Sequence, residues 1–130
     1  MQRYIFLILL LFLTGCGQIK ISGKVTFPDG LPLTTGRVIF ANETNNYSGT
    51  IQQDGSFRVG MLKDGQGIPR GKYKVAVVDA ITEEFPGPRK PPIVTYLVAQ
   101  KFRSPTTSGI EYDIRKNTTN ISIVVEHHKK

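Results

Sequence analysis

The sequence predicts an all-β protein, a Greek-key β-sandwich of seven or eight strands. Three observations lead there. Apolar and polar residues alternate along most of the chain, as strands with one buried and one wet face require. Glycine, proline and aspartate clusters cut those stretches into short segments at regular intervals. After residue 18 no convincing helical period appears, so sheet must supply the core.

The first fifteen residues stand apart. Met1 to Arg3 is a basic start, Tyr4 to Leu13 an unbroken apolar run of ten residues, and Leu13-Thr14-Gly15-Cys16 follows. That is the layout of a secretory signal peptide. As a helix the run would reach about 15 Å, half of a bilayer core of about 30 Å, so no permanent span is expected. Leu-Thr-Gly-Cys resembles the lipobox of bacterial lipoproteins. The resemblance implies that Cys16 carries thioether-linked diacylglycerol, becomes the mature N-terminus and takes a further acyl chain such as palmitate. Two or three chains hold a small protein on a membrane far more firmly than one. Gly17, where aspartate would favour retention at the inner membrane, implies an exported protein held at the outer membrane of the cell envelope.

The expected layout is therefore a signal peptide at 1–15, a lipidated start and short linker at 16–18, a sandwich at 19–126, and a polar tail at 127–130. Cys16 is the only cysteine, which leaves the folded part without a disulfide or sulfur ligand. Removing the first fifteen of 130 residues takes away Arg3 and no acid, so the formal charge falls from +7 to +6. Such an excess suits anionic lipid, lipopolysaccharide or acidic polymers, or simply keeps outward strand faces solvated.

The strands follow in order. Ile19, Ile21, Gly23, Val25 and Phe27 alternate with polar neighbours, and Pro28-Asp29-Gly30 turns the chain. Gly36 to Ala41 is the second strand and Asn42 to Asn46 a polar loop. Tyr47, Gly49 and Ile51 belong to the third. Gln53-Asp54-Gly55 is a tight hairpin turn into the fourth, Ser56 to Gly60. Met61 to Arg70 is a glycine-rich connection. Gly71 to Asp79 is the longest and most apolar strand, apolar on both faces beyond Val75, and so central in its sheet.

Asp79 to Pro92 holds four prolines, each lacking a ladder donor, and reads as a crossover or projecting loop. Ile93 to Phe102 fits a sixth strand or a short helical turn; periodicity does not decide. Ile110, Tyr112 and Ile114 mark one closing strand, and Ile121, Ile123 and Val125 the other. His127 to Lys130 reads as a frayed tail.

Ile21 to Leu33 (ISGKVTFPDGLPL), the Gly-Arg-Val-Ile-Phe strand, Gly-Thr-Ile-Gln-Gln-Asp-Gly-Ser-Phe, Pro-Arg-Gly-Lys-Tyr-Lys-Val-Ala-Val and Lys-Phe-Arg-Ser-Pro-Thr-Thr-Ser-Gly-Ile together resemble the carboxypeptidase regulatory-like domains, of transthyretin-like, Ig-like sandwich fold. Within that family they are most similar to small single-domain lipoproteins of planctomycete bacteria. The shared pieces are turns and core positions, so the resemblance implies a scaffold and assigns no active site.

Function classes narrow accordingly. Both histidines sit in the tail, which argues against a positioned serine, histidine and acid set, and the hydrolases of the wider transthyretin-like fold end in Tyr-Arg-Gly-Ser where this chain ends in His-His-Lys-Lys. No catalytic residue is expected. Adjacent His127 and His128 would point to opposite faces of a strand, and Asp64-Gly65 lacks the alternating acids of a calcium loop, so neither metal nor cofactor is expected. Lys20, Lys24, Arg58, Lys72 and Lys74 lack interleaved aromatics, which argues against nucleic acid.

The candidate partner-binding loop is Phe85, Pro86, Pro88, Arg89 and Lys90. Prolines there lower the entropy lost on binding and charges surround an exposed ring; the other role for the stretch is a stiff crossover. The expectation is a non-catalytic, lipid-anchored envelope protein serving as a structural or interaction module, its partner an envelope protein or polysaccharide. The rival is a carbohydrate-binding envelope lipoprotein that uses Phe85, Tyr96 or Phe102 as a platform. Oligomeric state is not legible.

Overall fold

The computed structural model describes residues 18–60 and 64–129. The expected signal peptide, Cys16 and Gly17 lie outside the described residues. Among those described, nine strands and one 3-10 turn are present. The protein is all-β with almost no helix, an arrangement compatible with a β-sandwich.

One sheet has the order β4-β1-β9 and comprises β1 (Ile21–Thr26), β4 (Ser56–Arg58) and β9 (Thr118–Val124). The other has the order β3-β2-β5-β8, from β2 (Arg37–Ala41), β3 (Asn46–Thr50), β5 (Gly71–Val78) and β8 (Ile110–Ile114). β5 lies inside its sheet, between β2 and β8, as its two apolar faces predict. All pairings in the four-stranded sheet are antiparallel, whereas β1 and β9 run parallel.

The core lies between these sheets and the alternation explains it. Ile21, Val25, Phe57, Ile121 and Ile123 turn inward from one side, and Val38, Phe40, Tyr47, Tyr73, Val75 and Val77 from the other, all in one cluster. Phe40 and Phe57 meet across the gap with ring centroids 6.3 Å apart. Tyr73 is fully buried and its hydroxyl donates to the Pro69 carbonyl at 2.6 Å, which satisfies its one polar atom. Burial, then the nearby Tyr47, holds its phenol above the ordinary pKa. Each such ring contributes about 1.5–3 kcal/mol by leaving water.

Two turns share one geometry. Phe27 and Leu31 flank Pro28-Asp29-Gly30, and Gln52 and Ser56 flank Gln53-Asp54-Gly55; in both, glycine takes φ near 85°, at 86° and 85°. In both, the aspartate Oδ1 accepts the amide two residues on, Leu31 at 3.1 Å and Ser56 at 3.0 Å. This is the three-residue loop closed by a left-handed glycine. Hydrogen bonds from the Ser56 hydroxyl and amide hold the Asp54 carboxyl below its usual range.

The second turn does not make the simple hairpin expected of it. β3 pairs with β2 and β4 with β1, in different sheets. Next to the turn Gln52 N donates to Ser56 O at 2.8 Å, and farther on Ser48 and Gly60 exchange both backbone bonds, at 2.8 and 2.9 Å. Between those points the ladder is interrupted: the Thr50 amide donates to Asp64 Oδ2 at 3.0 Å, and the Arg58 backbone lies against Gly49 so closely that a β-carbon there would overlap the Arg58 carbonyl.

Two further expectations are corrected. The stretch from Asp79 onward is not wholly loop: Ile81–Glu84 forms β6, paired antiparallel with β7 (Ile93–Tyr96) as a separate two-stranded sheet. All four prolines fall between these strands, where no ladder donor is needed. The undecided stretch contains both structures, β7 and then a 3-10 turn at Gln100–Arg103. The tail is not frayed at its start: His127 bridges Val98, and His128 N donates to Leu97 O at 3.1 Å.

Candidate functional site

β6, β7 and the segment 85–92 between them form an arm outside the two main sheets. Its origin is local. β5 ends at Val78, and Asp79 takes the left-handed conformation at φ 57°, which redirects the chain. Ala80 is buried, and its carbonyl accepts Leu97 N at 2.9 Å, closing the base of the arm. From there the register runs Ile81↔Tyr96 to Glu84↔Ile93. Isoleucine, valine, threonine and tyrosine favour extended backbone, which holds β7 straight without a core against it.

At the far end Lys90 N donates to Gly87 O at 3.3 Å across a Pro88-Arg89 turn. Proline supplies the first central residue of a type II turn, and Arg89 the second, at φ 65°. Glycine is the ordinary occupant there, and arginine costs about 1 kcal/mol or more. The structure brings the five candidate residues together at this tip: Phe85, Pro86, Pro88, Arg89 and Lys90 are all exposed, Phe85 to 73%. Every residue of β7 is exposed too, including Ile93, Val94 and Tyr96.

The base is braced from two sides. The Arg103 guanidinium, from the end of the 3-10 turn, lies over Tyr96 with its Cζ 4.0 Å from the ring centroid. His128 packs against Tyr96 at 5.9 Å between ring centroids. Arg103 Nε is buried without a hydrogen-bond partner among the described residues, so its place is set by ring contact. Of the three aromatic residues noted as a sugar platform, Phe102 is buried in the core and Tyr96 has Arg103 on one face. Phe85 alone remains an open ring.

Sequence reasoning found the tip but missed the exposed strand leading back from it. An apolar run such as Ile-Val-Thr-Tyr reads as buried, and only the fold shows that no layer covers it. The readable signal was its flanks, Glu83-Glu84 on the partner strand and prolines on the near side.

The arm's position follows from β1. Ile19 bridges Ile68 at one end of that strand, and Phe27 meets His127 at the other. The arm base is fastened to His127 and His128, so it stands at the end away from Ile19. β1 alone, with six residues, separates the two ends by about 17 Å at roughly 3.3 Å per residue.

Among the described residues no group of three or more metal-ligating side chains is gathered, and no helix is long and apolar enough to cross a membrane. No family model, no curated protein and no solved structure matches the chain.

Proposed function

We propose that this chain is a non-catalytic, lipid-anchored protein of the bacterial cell envelope, at the outer membrane. In this reading a Greek-key, transthyretin-like sandwich presents the β6–β7 arm to an envelope partner. The observation that carries it is the arm's place: an exposed ribbon tipped by Phe85, Arg89 and Lys90, at the opposite end from where the chain enters the fold at Ile19. A tether at Cys16, three residues before Ile19, would leave the arm facing away from the lipid. The shielded Tyr96 and buried Phe102 favour a protein partner at the arm over a stacked sugar.

Two measurements test the two halves separately. Metabolic labelling with an alkyne fatty acid should mark the wild type and spare Cys16→Ser, which leaves the membrane fraction; label retained by Cys16→Ser refutes the anchor. Lysine-directed cross-linking in intact cells should capture one recurrent neighbour through Lys90, lost on Phe85→Ser with no change in melting temperature. A capture pattern unaltered by Phe85→Ser refutes the arm.

A further inference from the structure

The outer face of the β4-β1-β9 sheet is hollowed into a groove of about 790 Å³, away from the arm. Its floor is made by outward side chains of the three strands, and Thr50, Gln52 and Asp64 stand along one wall. From Ser22 to Thr26 the floor runs about 13 Å at roughly 3.3 Å per residue.

Two features set it apart from an ordinary solvated strand face. The pairing of β1 with β9 slips between Ile21↔Thr118 and Gly23↔Ile121, so β9 carries one extra residue there. The bulge sets Thr119 and Asn120 on the groove, and bulges are found where a strand re-aims side chains toward a site. The second feature is charge. Arg58 lies along the groove with its guanidinium against Gly65, and no carboxylate among the described residues pairs with it. The residues outside those described contain no aspartate or glutamate. Two acids stand nearby, Asp64 in the groove wall, accepting the Thr50 amide at 3.0 Å, and Asp54 in the adjacent turn, accepting the Ser56 amide at 3.0 Å and within the field of Lys24. Asp64 is the one acid of the lining against Arg58 and Lys24, which leaves the lining one positive charge in excess. Lys24 adds a second exposed cation.

We propose that this groove binds an anionic polysaccharide. The planar guanidinium of Arg58 takes a carboxylate or sulfate through paired hydrogen bonds, and Lys24 supports it as a point charge. Serine and threonine hydroxyls both donate and accept, matching a sugar's own hydroxyls. The aromatic and apolar residues of the lining, Phe57 and Ile121, face the core, so the groove has no ring on which to stack a neutral sugar or a base. Selection therefore rests on charge and hydroxyl pairing. This site is separate from the arm and does not depend on the lipid anchor.

The test uses the full-length protein in detergent, titrated calorimetrically at low salt with an oligogalacturonate, a sulfated oligosaccharide, a neutral oligoglucan and a single-stranded oligonucleotide, all of similar length. One or both anionic oligosaccharides should bind, their ranking telling carboxylate from sulfate, while the neutral oligomer and the oligonucleotide bind at least tenfold more weakly. Arg58→Gln should cost about tenfold, the loss of a charge-assisted contact. Ser122→Trp, which fills the groove from an exposed position, should abolish binding. The pair Lys72→Gln and Lys74→Gln, which removes two charges from the other sheet, should change affinity less than twofold. The proposal is overturned if neither anionic oligosaccharide binds, if the Lys72 and Lys74 changes weaken binding as much as Arg58→Gln, or if the oligonucleotide binds as well.

Discussion

The imidazole of His127 lies flat on the ring of Phe27, with centroids 3.8 Å apart and planes 9° from parallel. Phe27 ends β1's run into the first turn and His127 follows β9, so this stack fastens the last residues of the chain to the end of its first strand. Asp29 Oδ2 stands 3.8 Å from His127 Nε2, but both side chains are more than half exposed, and such pairs add little. Stacking therefore dominates. His127→Ala should lower stability by about 1 kcal/mol, while His127→Phe keeps it, as read from denaturant midpoints. Equal losses in both would mean that the charge, not the ring, holds the contact.

Two glycines should fail for different reasons. A β-carbon built on Gly23 would overlap the Ile121 carbonyl oxygen on the neighbouring strand, so Gly23→Ala must separate β1 from β9. Its cost should exceed about 4 kcal/mol and leave little folded protein. Gly30 has open space around it and only its φ of 86° at stake. Gly30→Ala should cost about 1–2 kcal/mol, the left-handed penalty alone. Comparable urea midpoints for the two variants would contradict the close approach at Gly23.

Alkaline stability should follow Tyr73. Burial raises its folded pKa, so the unfolded chain gives up the proton first, near pH 10, and the folded form holds it to a higher pH. The contribution is complete below about pH 10 and is lost as pH rises through the folded value. Tyr73→Phe should cost about 1 kcal/mol at neutral pH, from the bond to Pro69, and flatten the fall in stability above pH 10. Tyr112, also raised by burial, keeps the slope from vanishing. An identical alkaline limb in wild type and variant would exclude Tyr73 as a source.

The arm should loosen independently of the body. Arg103→Ala removes the cation over Tyr96, worth about 0.5–1 kcal/mol at a partly exposed site. Amides of Ile93 to Tyr96 should then exchange with solvent roughly two- to fivefold faster, while those of β2 and β5 stay protected. Faster exchange throughout would show that the brace supports the core as well.

The alternation of Ile21 to Phe27, Gly71 to Val78 and Ile121 to Val125 determined the fold class and nearly all the core, because side-chain parity in a strand is local and period two is read directly. The Asp-Gly pairs determined their turns for the same reason, since φ > 0 is a property of the residue. Partner choice among strands was left to the tertiary structure. Nothing within Ser56-Phe57-Arg58 says that it pairs with β1 instead of β3, and nothing in β9 says that it runs parallel to β1. Those outcomes depend on which pairing buries Phe57, Ile121 and Ile123 against Phe40 and Val75, a sum over residues far apart in the chain. The candidate tip was legible from its prolines and charges, whereas the bare faces of β7 and the unpaired Arg58 were not: exposure and a missing partner are relations to everything else in the fold.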